Sequence, residues 1–545
     1  MQEKTSLIDL NPHYLQEVLR ILNTYLPNVE VRAFGSRVKW TAKAYSDLDL
    51  ALMTKQPLTL SQEAQLHEAF DESTLPIKVD FVDWAATSEN FQKIIAQHSV
   101  LLRAGHQTAA GEEWAVLNLE DALERLIDYR GKTPQKTVSG IPLITAKIVK
   151  NGRIETPTEF IAHEDYAAWM TRGMPQIGDV VLTTEAPLGQ VAQLEQAKVA
   201  LAQRIVVLRG KSGLLDNTYL RYLLQTDELQ EQLAARATGT TVLGIKQSEL
   251  RKIALRLPPV AYQISAASTL SALDDRITLL RETNATLEAI AQALFKSWFV
   301  DFDPVRAKME GRAPEGMDEA TAALFPDGLE ESELGMVPRG WRVLPIGDAV
   351  DAAGGATPDT KNTAFWEPAV HCWTTPKDLS GIAAPVLLDT ERKLSAQGLA
   401  KIGSGLLPVG TLLLSSRAPI GYLALTQTPL AINQGYIAMT PGGLLPPLYL
   451  LFWCRENMET IKGRANGSTF MEISKKAFRP IPALVPPLEV LQSFSDIAGA
   501  LFERLIENEK QAQTLATLRD TLLPRLISGQ LRLPEAQALV EAAHV

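Results

Sequence analysis

The clearest pattern along the chain is a pair of long helical seams, in which apolar side chains recur at alternating steps of three and four positions. The first seam consists of Leu270, Leu273, Ile277, Leu280, Asn284, Leu287, Ala291, Leu294 and Trp298. The second consists of Ala498, Leu501, Leu505, Asn508, Ala512, Leu515, Arg519, Leu522 and Leu526. Such heptad spacing is typical of helices that pair as a coiled coil, in which a polar residue lowers stability but fixes register.

Other segments predict short strands and helices in alternation. Apolar runs that follow a glycine predict strands at 179–183 and 411–415, and helices are expected near 217–235 and 446–463. In the first 105 residues, Asn11-Pro12 opens a helix that runs to about Leu26. Strands are predicted there at 29–34, 47–52 and 77–82, with helices at 59–73 and 88–100. The alternation indicates a multidomain α/β chain.

Much of the sequence is repeated. Leu257-Pro258-Pro259 recurs as Val485-Pro486-Pro487, and Gly239-Thr240-Thr241 recurs as Gly467-Ser468-Thr469. Upstream, Ala186-Pro187-Leu188-Gly189 matches Ala418-Pro419-Ile420-Gly421. Residues 114–305 and 337–532 are therefore two copies of one unit, each with a strand-rich front and a helical back.

The repeat predicts seven segments along the chain. They are the N-terminal domain (1–105), the first head (114–258), the first spacer helix (259–305), a linker (306–336), the second head (337–487), the second spacer helix (488–532) and a C-terminal tail (533–545). A helix of about 35 residues is about 50 Å long. Two such helices paired antiparallel would hold the heads apart like a ruler. The alternative is two ordinary core helices, which the matched positions of Asn284 and Asn508 disfavour.

Composition restricts the class of protein. The chain has 545 residues and a net charge of −10, although both heads are mildly basic and so remain compatible with DNA binding. No run of about 18 apolar residues occurs, and the first residues lack the pattern of a signal peptide. The two cysteines, Cys372 and Cys454, disfavour a disulfide framework. We therefore expect a cytoplasmic protein with no membrane partner.

Three strings resemble a known family. They are LFKSWFVDFDPVR at 294–306, SELGMVPRGW at 332–341 and LRDTLLPRLISG at 518–529. They are similar to the ends of both spacer helices, and to the entry of the second recognition domain, in the DNA-specificity subunits of type I restriction–modification systems. The resemblance covers about 114–532. At the spacer entry, where the family often has Pro-Pro-Leu followed by Glu-Gln, the chain departs from the pattern.

The resemblance implies a fold and a function. Each head would be an α/β target-recognition domain reading one half of a split double-stranded DNA site, with the two domains separated by two long antiparallel coiled-coil helices. The helices would dock two modification subunits, which carry S-adenosylmethionine and methylate adenine, and restriction subunits would join to cleave. The main body would then have no chemistry of its own.

Polar side chains on predicted loops and strand ends are the candidate DNA contacts, because such groups read base edges or position the backbone. In the first head they are Arg130, Lys132, Lys147, Arg204, Thr240, Thr241 and Lys246. In the second head they are Lys377, Ser416, Arg417, Asn433, Gln434, Ser468, Thr469, Lys475 and Lys476. The alternative for Asn433-Gln434-Gly435 and the Ala-Pro turns is purely structural turn chemistry. Because the heads differ in sequence, we expect different half-sites.

The N-terminal domain carries a different motif. Asp47 and Asp49 stand at i and i+2 and so point to one face of a strand, and Asp80 lies on another predicted strand. Three carboxylates and a Gly35-Ser36 turn suit Mg²⁺ and the triphosphate of a nucleotide. The lone Asp-x-Asp would otherwise be a solvated strand edge.

This motif resembles the minimal nucleotidyltransferase family with a polymerase-β-like fold, whose members include antitoxins and adenylylating enzymes. The resemblance implies that Asp47, Asp49 and Asp80 are catalytic metal ligands, and that Gly35 and Ser36 bind the nucleoside triphosphate. Trp40 departs from an expected glycine. Whether this domain is an active enzyme is left open. Two alternatives remain: a nucleotidyltransferase acting on protein or RNA, whose C-terminal region selects a nucleic acid, and a regulatory or antitoxin-like element.

Overall fold

The computed structural model describes residues 8–26, 29–43, 46–54, 57–71, 73, 75–103, 114–129, 133–150, 152–239, 242–417, 419–467 and 471–543. Contacts divide the chain into two compact units. One comprises Met1–Thr269 with Leu522–Leu539, and the other comprises Leu270–Thr521 with Val540–Val545. The N-terminal domain and the first head lie in the first unit, and the second head lies in the second.

The N-terminal domain is a four-stranded sheet with helices. Its elements are α1 (Pro12–Tyr25), β1 (Glu30–Phe34), β2 (Leu48–Met53), α2 (Leu60–Asp71), β3 (Val79–Asp83), α3 (Glu89–Gln97) and β4 (Val100–Arg103), with a short 3₁₀ turn at Trp84–Ala86. The strand order is β3-β2-β1-β4. β2 runs parallel to β3, and β1 runs antiparallel to β2 and β4. The predicted elements are confirmed within a few residues.

Burial explains this sheet. Leu48, Leu50, Ala51 and Leu52 of β2 are all fully buried, so the strand lies in the centre of the domain. Asp49 is the one polar residue of β2 and is half-buried. An apolar strand with a single carboxylate is thus held rigidly at the middle of the sheet.

The first head has two small sheets flanked by helices. Its elements are β5 (Ala115–Asn118), α4 (Leu119–Ala122), β6 (Leu123–Asp128), β7 (Ile141–Ile144), β8 (Val149–Lys150), β9 (Arg153–Ile154), β10 (Phe160–Ile161), α5 (Tyr166–Trp169), β11 (Val180–Thr184), β12 (Leu188–Gln193), β13 (Ala200–Leu201), β14 (Ile205–Gly210), α6 (Asn217–Leu223), α7 (Asp227–Ala235), α8 (Gln247–Leu250) and β15 (Ala254–Leu257). One sheet has the order β12-β11-β14-β6, the other β10-β7-β13, and β15 pairs with β5 and β8 with β9.

The first spacer helix and the linker follow. Their elements are α9 (Val260–Phe299), α10 (Asp303–Met309), α11 (Glu319–Ala323), β16 (Leu329–Ser332) and β17 (Gly335–Pro338). α9 has 40 residues, somewhat longer than the sequence predicted. β16 and β17 form a hairpin.

The second head repeats the architecture of the first. Its elements are β18 (Arg342–Pro345), α12 (Ile346–Ala349), β19 (Asp351–Ala353), β20 (His371–Thr374), β21 (Val386–Leu387), β22 (Arg392–Leu394), α13 (Ala396–Leu399), β23 (Leu412–Ser415), β24 (Leu423–Thr426), β25 (Leu430–Ile432), β26 (Tyr436–Thr440), α14 (Pro447–Glu456), α15 (Met458–Gly463), α16 (Lys475–Phe478) and β27 (Pro482–Val485), with 3₁₀ turns at Thr363–Phe365 and Pro376–Leu379. Its sheets have the orders β19-β26-β23-β24-β21 and β22-β20-β25, and β18 pairs with β27. The chain continues as α17 (Leu488–Ile527) and α18 (Leu533–Ala542).

One detail of the helix predictions differs in both heads. The single helices expected near 217–235 and 446–463 are each divided into two. In the first head Thr226 starts α7 as an extended N-cap residue, and in the second head Asn457 separates α14 from α15. Both residue types favour helix starts, which explains the breaks.

Most residues of the two predicted seams are buried, and the others are partly exposed. In the second unit, Leu273, Ile277 and Ala291 of α9 are fully buried, as are Leu505 and Leu515 of α17. Contacts within this unit show that the helices run antiparallel. Asp274 pairs with Arg519, Asn284 with Asn508, and Phe295 with Phe494, so residue numbers rise on one helix as they fall on the other.

Two broad predictions can be compared with the described part of the chain. Within the described ranges, every helix is too short or too polar to span a bilayer. Both cysteines are free thiols, and burial in the core of the second head raises the pKa of Cys454.

Candidate nucleotide and DNA sites

The parallel pairing of β2 and β3 brings the acidic motif together. Asp49 lies directly opposite Asp80 in the register of the two strands. Asp47 precedes β2 by one residue and is exposed. Burial raises the pKa of Asp49, and the negative charges of Asp80 and then Asp47 raise it further. Both other predicted carboxylates therefore act on Asp49, and such a concentration of negative charge favours a bound cation.

Gly35 is fitted closely against this cluster. It follows β1 with a φ of +79°, a conformation that glycine adopts readily. A Cβ atom at this position would lie 2.0 Å from Oδ2 of Asp49. Only glycine therefore lets the turn approach the carboxylate. This contact supports the sequence-based pairing of the Gly35-Ser36 turn with the acidic strand.

The loop after Gly35 is held by Arg37. This buried guanidinium donates from Nη1 to the backbone oxygen of Asp9 at 2.6 Å, and from Nη2 to that of Ser46 at 2.7 Å. Thr41 N–H donates to Ser36 O at 3.0 Å. Arg37 thus fixes the connection between β1 and β2, a positioning role that the sequence did not reveal.

Lys78 is a neighbour of the acidic cluster that sequence reasoning missed. Its Nζ atom lies 2.7 Å from Oδ1 of Asp80, and both side chains are largely exposed. The hydrogen bond and charge of Asp80 raise the pKa of Lys78. Among the described residues, no three or more His, Cys, Asp or Glu side chains are grouped so that they could hold a metal ion. The carboxylates suit Mg²⁺ chemically, but Lys78 occupies part of that cluster.

In the first head, two predicted DNA contacts line one cavity of about 300 Å³. They are Lys147, which follows β7, and Arg204, which precedes β14, and both are exposed. Lys136, Glu159 and Gln203 line the same cavity and were not predicted.

The exposed Lys246 belongs to the same edge of the first head. Its neighbour Ile245 donates its N–H to Thr184 O at 3.0 Å, and Thr184 N–H donates to Arg204 O at 2.9 Å. The predicted contacts Arg130, Lys132, Thr240 and Thr241 lie outside the described residues. The structure thus joins three of the seven predicted side chains in one polar edge.

In the second head, backbone contacts bring together Ser416, Arg417 and the turn at 433–435. Ser416 N–H donates to Gly435 O at 2.8 Å. Ser416 is buried, whereas Arg417 is partly exposed and pairs with Glu472 at 3.7 Å. Asn433 Oδ1 accepts from Gly435 N–H at 2.8 Å, which is the structural role that the alternative interpretation expected.

The remaining candidates of the second head surround this turn. Gln434 is exposed and accepts from Thr357 Oγ1 at 2.7 Å. A Cβ atom on Gly354 would lie 2.6 Å from Nζ of Lys475. Lys377 and Lys476 are exposed, on the 3₁₀ turn and on α16. Ser468 and Thr469 lie outside the described residues.

We call the residues around the turn at 433–435 the polar edge of the second head, and the two polar edges share backbone contacts. Ile245 N–H donates to Thr184 O in the first head, and Ile473 N–H donates to Ser416 O in the second, both at 3.0 Å.

A second contact is also shared. Ala202 N–H donates to Ile144 O at 2.9 Å, and Asn433 N–H donates to Thr374 O at 3.0 Å. By this register Lys147 is equivalent to Lys377, and Gln203 to Gln434. The sequence repeat alone did not align these pairs.

Comparison with known proteins agrees with this duplication. Residues 111–289 and 338–517 match the type I restriction modification DNA specificity domain, and residues 16–106 match the polymerase beta nucleotidyltransferase family. The chain is similar to the type I restriction enzyme MjaIX specificity subunit of Methanocaldococcus jannaschii, with 26% identity over 442 residues, covering 78% of this chain and 95% of the relative.

Two further relatives come from Haemophilus influenzae. The type I restriction enzyme HindI specificity subunit is 26% identical over 374 residues, covering 61% of this chain and 81% of the relative. The probable protein adenylyltransferase MntA is 46% identical over 101 residues, covering 18% of this chain and 89% of the relative. Because the specificity-domain matches span more than half of its residues, the chain belongs to the family of type I restriction–modification specificity subunits and carries an N-terminal nucleotidyltransferase-like domain.

Proposed function

We propose that this chain reads a split double-stranded DNA site for a type I restriction–modification complex, one half with each head. The observation that carries the proposal is the polar edge that both heads build with the same backbone contacts, on which Lys147 and Lys377 are equivalent. Lysines on such an edge contact phosphates and position the protein. Exposed groups beside them, such as Gln434, are of the kind that reads bases.

The two spacer helices suit this role. Their antiparallel pairing would set the gap between the two half-sites, because spacing between rigid recognition elements becomes spacing on DNA. We propose that the chain docks two modification subunits, that S-adenosylmethionine is bound only by those subunits, and that restriction subunits join the complex. The specificity subunits named above as relatives support this assignment. The heads would then contribute recognition and no catalysis.

Exchange of one head tests the DNA-reading proposal. The second head, residues 337–487, is replaced by a recognition domain of another specificity subunit, and methylated sites are mapped in the complex with modification subunits. One half of the target should change while the other half and the gap stay the same. Deletion of residues 1–105 is the matched control and should leave the site unchanged. A change in both halves after the head exchange would contradict independent reading.

For the N-terminal domain we propose Mg²⁺-dependent transfer of a nucleoside monophosphate to a protein or RNA, in a regulatory or antitoxin-like role. The close fit of Gly35 against Asp49, beside Asp47 and Asp80, carries this proposal. Asp47, Asp49 and Asp80 are not grouped closely enough in this structure to hold an ion, and they would have to draw together around the metal as Lys78 releases Asp80. Gly35 and Ser36 would approach the triphosphate. Bound Mg²⁺ would neutralise charge on the reacting phosphates. The relative called a probable protein adenylyltransferase supports this chemistry.

Label transfer from α-labelled nucleoside triphosphates tests the second proposal. The intact chain is incubated with Mg²⁺, its modification subunit and cell lysate, beside Asp49→Asn. Label that appears on a protein or RNA with the intact chain, but not with Asp49→Asn, would support a transferase and identify its acceptor. Absence of label with every nucleotide would favour a binding role. If label transfer occurs but no split DNA site is methylated, the chain is instead a nucleotidyltransferase whose C-terminal region selects its substrate.

A further inference from the structure

One position on the polar edge has opposite charge in the two heads. In the first head Glu185 forms a β-bridge with Gly244, which also bridges to Thr238. In the second head Arg417 forms the same bridge with Glu472, which also bridges to Asn466. Glu185 and Arg417 are therefore equivalent residues on identical backbone frames.

At a second position, a glutamate of the first head is again replaced by an arginine in the second head. Leu143 N–H donates to Glu159 O at 2.9 Å in the first head. In the second head Trp373, the residue equivalent to Leu143, lies opposite Arg392 in the register of β20 and β22. Glu159 lines the cavity of the first head together with Lys147 and Arg204. Two glutamates of the first edge are thus arginines in the second.

These side chains are held near the edge by weak partners. Oε1 of Glu185 lies 4.0 Å from a guanidinium nitrogen of Arg204, and both side chains are about half exposed. Arg417 lies 3.7 Å from Glu472, also with partial exposure. Exposed ion pairs at such distances contribute little stability. Breaking them so that the side chains can contact DNA therefore costs little free energy.

Arg392 is oriented by stacking. Its guanidinium carbon lies 3.6 Å from the centre of the Trp366 ring. Stacking uses the flat face of the guanidinium and leaves the orientation of its N–H edge well defined. A guanidinium held in this way can donate two parallel hydrogen bonds to one partner.

We infer that Arg417 reads a guanine in the half-site of the second head, and that Glu185 reads a cytosine at the corresponding position in the half-site of the first. Arginine donates two hydrogen bonds to O6 and N7 of guanine, whereas a glutamate accepts from the N4 amino group of cytosine. Because the side chains depart from equivalent backbone positions, the two half-sites differ in base chemistry there. This inference rests on the proposed DNA-reading function.

The test maps methylated sites in a randomised DNA library with the complex of the full chain and its modification subunits. Arg417→Glu should lower the preference for guanine at one position of one half-site by about 5- to 150-fold, with the other half unchanged. Arg417→Lys should weaken the same preference less, because it keeps the charge but not the paired donors. Glu185→Arg should change one position in the opposite half.

Arg342→Glu is the matched control, since Arg342 is an exposed arginine of the same head on β18, which pairs with β27 in a separate sheet. Its reversal should leave the site unchanged. Unchanged base preferences in the Arg417 variants, or an equal loss of methylation at all sites, would overturn the inference. If the unmodified complex methylates no split site, the proposed function itself is wrong. If Arg417→Glu still methylates a split site with an unaltered guanine preference, only the assignment of Arg417 to that guanine is refuted.

Discussion

Asn284 and Asn508 form a buried hydrogen bond between the two spacer helices, with Nδ2 of Asn508 donating to Oδ1 of Asn284 at 3.0 Å. Nδ2 of Asn284 donates in turn to the backbone oxygen of Leu505 at 3.2 Å. Both asparagines are 2% exposed, in a seam that is otherwise largely apolar. A polar pair of this kind fixes the register of antiparallel helices, because any shift would leave buried amides without partners.

Replacing one asparagine should therefore harm stability more than replacing both. Asn508→Leu removes the donor to Oδ1 of Asn284 and should lower the free energy of unfolding by about 1–3 kcal/mol. The double variant, Asn284→Leu with Asn508→Leu, should recover at least that loss, since no buried amide remains unpaired. Thermal unfolding of the full chain by calorimetry measures both. A double variant less stable than either single variant would refute this explanation.

The first head depends on a buried ion pair between Arg209 and Asp179. Nε and Nη2 of Arg209 lie 2.7 and 2.8 Å from the two carboxylate oxygens, and Asp179 is 1% exposed. Asp179→Ala should destabilise by about 3–5 kcal/mol, because it removes both close hydrogen bonds of a largely buried guanidinium and leaves it with the exposed Glu124 at 3.8 Å. The matched control is Glu155→Ala, which breaks an exposed pair with Lys150 and should cost less than about 1 kcal/mol. Equal shifts in Tm for the two variants would contradict this prediction.

Trp40 occupies a backbone conformation that suits glycine. Its φ is +56°, in the left-handed region, which costs an L-residue about 1–2 kcal/mol. Trp40→Gly should therefore be more stable than Trp40→Ala by about 1 kcal/mol, although both variants lose the indole ring. Comparing these two variants by thermal unfolding isolates the backbone effect. Equal stability would show that the turn relaxes and stores no strain.

Charge in the acidic cluster should make stability depend on the cation. Without Mg²⁺, Asp49→Asn should be at least as stable as the parent, because it removes a half-buried charge that Asp80 and Asp47 repel. With Mg²⁺ and ATP the parent should gain Tm and the variant should not. Glu68→Gln, which removes an exposed charge on α2, should behave like the parent. An equal gain in Tm for Asp49→Asn would contradict the proposal that Asp47, Asp49 and Asp80 hold the metal.

The sequence by itself determined the local features of this protein. The heptad steps predicted residues of α9 and α17 of which most are buried, and Asn284 and Asn508 were placed at matched positions. The shared direction of Asp47 and Asp49 stays a prediction, because Asp47 lies one residue before β2. These features depend on helical and strand periodicity, which adjacent residues determine, and on a repeat that is visible in the letters.

Contacts between distant segments were decided only by tertiary structure. Nothing local indicates that Asp49 lies opposite Asp80, or that Lys147 and Lys377 are equivalent. The sequence repeat already aligned Glu185 with Arg417, but only the bridges to Gly244 and Glu472 showed that the two residues share a backbone frame. Strand order and crossover place such residues together, because the energy of these contacts depends on which segments pair and no sequence period records that choice.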